Sequence, residues 1–208
     1  LMADTTEPIG VLNFASATRP GGGWRTGASA QEESIARSST LFLALESQKV
    51  RPFYDIHQFN PNPFYTHTMI YSPDVLIFKD DKGGWLKPFL VDVLTSPAVN
   101  AKEVRKLPWY HRGVEKTIED TMRERMGRIL ELFEYRQAKN LVLGSFGTGA
   151  FRNDVGMVAR IWKELLYEHH ARFKYSFDNV LFAIPNLRTR EEFQRVFEGH
   201  HHHGGSFG

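Results

Sequence analysis

Short apolar runs alternate along this chain with longer segments whose apolar residues recur every three or four positions. Runs that are mostly apolar and bounded by glycine, proline or polar clusters are typical of buried strands. The five predicted strands are 9–15, 69–79, 87–94, 140–145 and 179–184. A turn that contains two glycines joins the second strand to the third, which predicts a hairpin.

The helical periodicity is clearest at 113–137, where Ile118, Met122, Met126 and Ile129 share one face. The predicted helices are 30–47, 113–137, 154–169 and 189–197. The basic run at 123–128 is interpreted as a solvated helix face, and the aromatic and proline-rich residues 50–68 as an ordered loop. Strands that alternate with helices predict an α/β fold, with a largely parallel sheet sandwiched between helices.

The composition is that of one globular domain. The chain has 208 residues, of which 41% are hydrophobic and 24% charged, and this length can bury a sizeable core. We expect residues 1–199 to form a single domain. Residues 200–208 begin with four histidines and continue with glycines, and we interpret them as a flexible tail outside the fold.

Charge and residue usage exclude several classes of function. The net charge is only +2, so a general coat for nucleic acid is not indicated. The chain has no cysteine, which excludes disulfides and thiolate metal sites and fits an intracellular location, cytoplasmic or nuclear. No apolar run is long enough to predict a membrane span, and we expect neither a metal nor a cofactor.

Two glycine-rich loops follow predicted strands, at 16–27 and 145–153. In parallel sheets the ligand crevice lies beyond the carboxyl ends of the strands. Gly147 and Gly149 allow positive φ, so that successive N–H groups can converge on an anion, and the following helix adds its dipole. The second loop is neither a Walker loop nor a dinucleotide fingerprint, and tight packing of a strand on a helix explains it equally well.

The first loop leads into adjacent carboxylates. Ser29 and Glu32 have the spacing of a capping box at the start of a helix, which would give Glu32 a structural role. A capping box leaves Glu33 unexplained, and it does not require the three consecutive glycines Gly21–Gly23.

The residues of this region resemble those of a known family. The segment LNFASATRPGGGWRTGASAQEES, residues 12–34, is similar to the signature of poly(ADP-ribose) glycohydrolases, in which a run of three glycines is followed by Gln-Glu-Glu. The segments 92–100 and 143–154 also resemble the bacterial-type branch of that family. Members of this branch usually carry a helical segment before the first strand. Here eight residues precede Ile9, so no adenine contacts are predicted.

The resemblance implies a macrodomain fold that binds ADP-ribose. It places Glu33 and Glu32 at the catalytic centre, Glu33 as the catalytic glutamate, and Glu32 and Asn13 beside the ribose of the scissile bond. Gln31 matches the glutamine of the signature, and Phe151 an aromatic that packs on the ligand. The other matched positions are those of the loops around the diphosphate, Gly21, Gly22, Gly23, Gly147, Thr148, Gly149 and Ala150.

The implied reaction is hydrolysis of the ribose–ribose O-glycosidic bond of poly(ADP-ribose), without a metal. Neighbours on a helix diverge by about 100°, so we expect Glu33 to act alone as the acid and base. The expected partners are poly(ADP-ribose) or an ADP-ribosylated macromolecule, with ADP-ribose as product, no membrane, and a monomeric protein. Two alternatives stay open, a hydrolase of mono-ADP-ribosyl groups and a module that binds ADP-ribose without cleaving it.

Overall fold

The computed structural model describes residues 7–199, and the predicted tail at 200–208 lies outside the described residues. Within them the chain forms one sheet of five strands in the order β2-β3-β1-β4-β5. The strands are β1 Ile9–Phe14, β2 Ile70–Lys79, β3 Trp85–Ser96, β4 Asn140–Leu143 and β5 Asn179–Phe182. β1 is parallel to β3 and β4, β4 is parallel to β5, and β2 is antiparallel to β3. The predicted strands and the largely parallel sheet are confirmed.

The helices cover both faces of this sheet. Their bounds are α1 Gln31–Ser38, α2 Leu41–Leu45, α3 Arg51–Phe59, α4 Ala101–Val104, α5 Val114–Tyr135, α6 Val155–Leu166 and α7 Leu187–Glu198. Successive side chains along each strand point to opposite faces of the sheet. Val11 and Val93 pack with α1, α2 and α3, whereas Leu12 and Leu94 pack with α5 and α6.

The predicted helix 30–47 is two helices. The chain breaks at Ser39, which forms an isolated antiparallel bridge with Ile77 of β2. The Ser39 hydroxyl donates to the carbonyl of Ile35 and accepts from the N–H of Leu41. These bonds replace helical ones, so the break is set by pairing with the sheet rather than by apolar spacing.

The predicted loop 50–68 contains α3. Its first turn holds a proline, a position where the missing N–H costs nothing, and its buried face carries Phe53, Tyr54 and His57. The prolines at 61 and 63 follow the helix rather than interrupt it. Within residues 7–199, no helix combines the length and the apolar character that crossing a membrane requires.

Candidate active site

The centre of the site lies where β1 and β3 end side by side. Their parallel register pairs Asn13 with Thr95, and both side chains are completely buried. Asn13 Nδ2 donates to Thr95 Oγ1 at 3.1 Å and to Glu32 Oε1 at 3.3 Å. Adjacent strand ends thus hold the predicted asparagine against the predicted carboxylate.

Gln31 fixes the start of α1 to the end of β1. Its Oε1 accepts from the N–H of Phe14 at 2.8 Å, and its Nε2 donates to the carbonyl of Leu12 at 2.7 Å. The amide therefore substitutes for a neighbouring strand, and both of its polar atoms are bonded to backbone. This contact places the two following glutamates at the strand end.

Glu32 is a buried carboxyl rather than part of a capping box. The residue that caps α1 is Ala30, which makes no side-chain capping bond, so that interpretation is wrong. Glu32 Oε2 accepts from the N–H of Ser16 at 2.6 Å, and Oε1 accepts from Asn13. Burial, aided by the nearby charge of Glu33, raises the pKa of Glu32 to about 8, against the lowering effect of these hydrogen bonds.

Glu33 lies beside Glu32 but keeps one oxygen open. Its Oε1 accepts from the N–H of Gly23 at 2.9 Å, and 8% of the residue is exposed compared with 2% of Glu32. In the described part of the chain, Glu33 Oε2 has no hydrogen-bond partner. Of the two adjacent carboxylates, Glu33 is therefore the one with an oxygen available to a substrate.

The glycine run makes room for these carboxylates. Gly22 has φ of 61°, and a Cβ added there would lie 2.2 Å from Glu33 Oε1 and 3.1 Å from Glu32 Oε2. No side chain fits at that distance, so the glycine at position 22 is required by the protein's own acidic groups, whereas a Cβ at Gly21 or Gly23 would first meet Trp24 or Ala28. Both carboxylates face the same glycine, which corrects the expectation that they diverge.

The second loop presents unpaired donors. In residues 7–199, the N–H groups of Gly147, Gly149, Ala150 and Phe151 have no hydrogen-bond acceptor. Gly147 has φ of 73°, and an added Cβ would lie 2.3 Å from Ala98 Cβ. Unpaired N–H groups in a glycine-rich loop are donors that an anion can satisfy.

Two details of this loop, at Gly149 and at the start of α6, differ from the prediction. Gly149 is not at positive φ, and an added Cβ would meet open space. The start of α6 is capped by Asp154, whose Oδ1 accepts from the N–H of Met157, so a carboxylate already occupies that helix end. The Thr148 hydroxyl donates to the carbonyl of Ser145 at 2.9 Å, which closes the turn.

An aromatic wall runs along the second loop. The Phe151 ring lies 5.9 Å from that of Tyr65, which in turn lies 5.5 Å from the ring of His57. Tyr65 adopts φ of 53°, a conformation that a non-glycine residue rarely takes. Sequence reasoning found Phe151 but missed the other two, because they fall in the segment predicted as a loop.

Arg125 holds the loop that carries Tyr65, and it corrects the prediction of a solvated face at 123–128. It is fully buried, and its guanidinium donates to the carbonyls of Pro97 at 2.9 Å and Phe64 at 2.8 Å. Burial lowers its pKa to about 10. The position lies seven residues after Ile118, on the apolar stripe of α5, and this register was a signal in the sequence.

Among the described residues, no three or more histidine or acidic side chains are grouped to hold a metal ion. The site thus combines a pair of carboxylates at the end of β1 with a loop of unpaired N–H groups after β4, and the parallel pairing of these strands puts both at the same edge of the sheet. That arrangement fits the macrodomain-like class of fold that the resemblance of residues 12–34 implies.

Comparison with known proteins identifies the family within this class. The sequence model described as "Microbial-type PARG, catalytic domain", where PARG denotes poly(ADP-ribose) glycohydrolase, matches residues 1–80. No curated protein matched the chain.

Solved structures match over nearly the whole chain. Poly(ADP-ribose) glycohydrolase from Thermomonospora curvata is 36% identical with a TM-score of 0.86, the match covering 94% of this chain and 70% of that one. Its complex with the inhibitor ADP-HPD gives 35% identity, a TM-score of 0.84 and coverages of 95% and 72%. The enzyme from Deinococcus radiodurans in complex with ADP-ribose is 38% identical with a TM-score of 0.84, and the match covers 94% of this chain and 77% of that one. The chain belongs to the microbial-type poly(ADP-ribose) glycohydrolases.

Proposed function

We propose that this chain hydrolyses the ribose–ribose O-glycosidic bond of poly(ADP-ribose), with Glu33 as the general acid and base. The observation that carries the assignment is the open Oε2 of Glu33 beside a fully engaged Glu32. A group that exchanges a proton with substrate needs an oxygen that the protein does not already occupy.

The reaction balances with one water. Glu33 gives a proton to the glycosidic oxygen while the bond from that oxygen to the anomeric carbon breaks, and the leaving ribose recovers its hydroxyl. Positive charge develops on the sugar as an oxocarbenium-like centre. Water then attacks the anomeric carbon and its proton returns to Glu33, which leaves ADP-ribose and a shortened polymer.

Glu32 and Asn13 hold the sugar in this proposal. With a pKa of about 8, the Glu32 carboxyl keeps its proton at neutral pH and adds little charge beside Glu33. Asn13 Oδ1 is buried and, among the described residues, has no hydrogen-bond partner, so it is an acceptor for a ribose hydroxyl. Gln31 acts as a positioning residue because its amide is bonded to β1.

The second loop holds the diphosphate. Its four unpaired N–H groups supply donors without a lysine, and the neighbouring Phe151 and Tyr65 supply an apolar wall for the nucleoside. The complex of the Deinococcus radiodurans enzyme with ADP-ribose supports this ligand. We expect a dissociation constant in the micromolar class, about −8 kcal/mol, and we propose that the protein acts as a monomer.

The decisive experiment separates the three candidate activities. The chain is incubated in ¹⁸O water with poly(ADP-ribose), and in parallel with a mono-ADP-ribosylated protein, and the products are analysed by mass spectrometry. We expect ADP-ribose from the polymer, with ¹⁸O on the anomeric carbon. Release of ADP-ribose from the mono-ADP-ribosylated protein alone would show that the chain is a hydrolase of mono-ADP-ribosyl groups. Binding without release would show that it is a module that binds ADP-ribose without cleaving it.

A further inference from the structure

A cavity lies against the first loop. It has a volume of about 200 Å³, and the residues that line it include Arg19, Gly22, Gly23, Trp24, Arg25 and Glu46. No residue of the second loop lines it, and neither do Asn13 or Phe151. The cavity shares Gly22 and Gly23 with the catalytic centre, and through them it adjoins Glu33.

The wall of this cavity is built from side chains that contact one another, and it carries positive charge. The Arg25 guanidinium makes two bonds to the Glu46 carboxylate, at 2.6 and 2.8 Å, and it lies over the Trp24 ring at 5.1 Å. The Trp24 ring in turn packs against Phe42, with ring centroids 5.1 Å apart. These contacts fix the wall without any ligand.

Arg19 is the free cation of the cavity. Its side chain is exposed, and in residues 7–199 it makes no hydrogen bond or ion pair, since only its backbone is bonded, through N–H to Ser16 Oγ and through the carbonyl to Gly22. With Arg25 already paired to Glu46, the cavity has one uncompensated positive charge. An anion is the ligand that such a charge favours.

Cleavage of a polymer requires space for two units. The donor unit places its diphosphate at the second loop, so the leaving unit must lie on the other side of Glu33. The group that leaves is a ribose hydroxyl, and this ribose carries the diphosphate of its own unit. We infer that the Arg19 cavity is the subsite for the diphosphate of the leaving unit, an inference that rests on the proposed hydrolysis of poly(ADP-ribose).

The subsite makes the polymer a better ligand than its monomer. ADP-ribose fills only the donor side, whereas a two-unit oligomer reaches Arg19 as well. Removing Arg19 therefore weakens binding of the oligomer and leaves binding of ADP-ribose unchanged. Its exposed side chain makes no hydrogen bond or ion pair within residues 7–199, so we expect its loss to leave folding intact.

Binding is measured by calorimetry in the Glu33→Gln background, which prevents turnover, with ADP-ribose and a two-unit oligomer as ligands. We expect Arg19→Ala to weaken the oligomer about tenfold and Arg19→Glu to weaken it further, with ADP-ribose affinity unaltered in both. Arg190→Ala is the matched control, because Arg190 is an exposed arginine on α7, a helix that packs against β5 and α6 rather than near the cavity.

If Arg19→Ala weakened the binding of ADP-ribose and of the oligomer equally, the cavity would belong to the donor side and the proposed subsite would be wrong. The subsite would also be wrong if Arg19→Ala changed neither affinity. Turnover of the polymer by Arg19→Ala in the Glu33 enzyme distinguishes this result from failure of the proposed function. An unchanged KM with normal turnover overturns the subsite alone. A chain that does not hydrolyse the polymer overturns the function, and the binding comparison still decides the subsite.

Discussion

The two glycine loops of this protein end neighbouring strands, yet their glycines serve opposite purposes. In the loop after β1, Gly22 leaves space for the carboxylates of the chain itself, and the N–H of Gly23 is already bonded to Glu33. In the loop after β4, the N–H groups of Gly147, Gly149, Ala150 and Phe151 have no acceptor among residues 7–199. The N–H of Gly23 in the first loop is bonded by the protein itself, and we propose that a ligand bonds those of the second loop.

From this difference we propose that the first loop serves catalysis and the second loop serves binding. A preorganised carboxylate contributes to the rate because its position is fixed before substrate arrives. Unpaired N–H groups contribute to binding because an anion satisfies donors that otherwise face water. Substitutions in the first loop are therefore expected to change turnover, and substitutions in the second to change affinity.

The largest effect is expected for Glu33→Gln, which should change turnover without changing affinity. The amide keeps the shape of the side chain but cannot exchange the proton, so we expect turnover of poly(ADP-ribose) to fall by about 10²–10⁴-fold. Affinity for ADP-ribose is expected to change little. Rate assays and calorimetry on the same preparation check both statements, and full turnover by the variant would remove Glu33 from the mechanism.

The second prediction concerns the stability of the first loop. The pKa of Glu32 is raised by burial from 4.5 to about 8, so the folded state holds a proton that the unfolded chain releases above pH 4.5. Folding stability from this group is present at low pH and is lost as the pH rises toward 8. We expect the wild type to lose a few kcal/mol relative to Glu32→Gln over this window.

Denaturant unfolding of both proteins at several pH values measures this difference, because all other titrating groups are shared. Parallel curves for the wild type and Glu32→Gln between pH 5 and 8 would contradict the buried, protonated carboxyl.

A third substitution tests the close approach within the first loop. In Gly22→Ala the new methyl group meets Glu33 Oε1, so the carboxylate must move, and displacement of this kind costs turnover about 10²-fold. Gly27→Ala is the matched control, since Gly27 is in the same loop at φ of 87° with open space around it. If the two variants lose turnover equally, backbone strain rather than crowding of Glu33 is the cause.

The smallest effect is expected in the second loop. Gly149→Ala meets no protein atom, so stability is kept, while the methyl group keeps a diphosphate from the backbone. We expect affinity for ADP-ribose to fall about tenfold, the loss of one hydrogen bond to a charged group. Gly127→Ala in α5, which also meets no atom, is the control and should leave the affinity for ADP-ribose unaltered. Equal affinities of the Gly149→Ala and Gly127→Ala variants would refute the proposal that the second loop binds the diphosphate.

Much of the fold could be predicted because the sequence patterns that indicate its strands and helices are local. Apolar runs and glycine turns predicted β1, β2, β3, β4 and β5, and the stripe of α5 predicted its buried face. The missed features depend on partners distant in sequence. The break at Ser39 comes from its bridge to Ile77, and α3 is stabilised by burial of Phe53 and Tyr54 rather than by its own composition.

The sequence by itself indicated which residue types the site would contain, since three glycines before Gln31, Glu32 and Glu33 already predicted a close approach to the backbone. Only the tertiary structure decided which of the two glutamates keeps a carboxylate oxygen available to a substrate. Ser16 and Asn13 occupy both oxygens of Glu32, while Glu33 keeps one oxygen free. Neighbouring residues of one type differ in role because burial and hydrogen bonding are properties of position in space, which the local sequence does not encode.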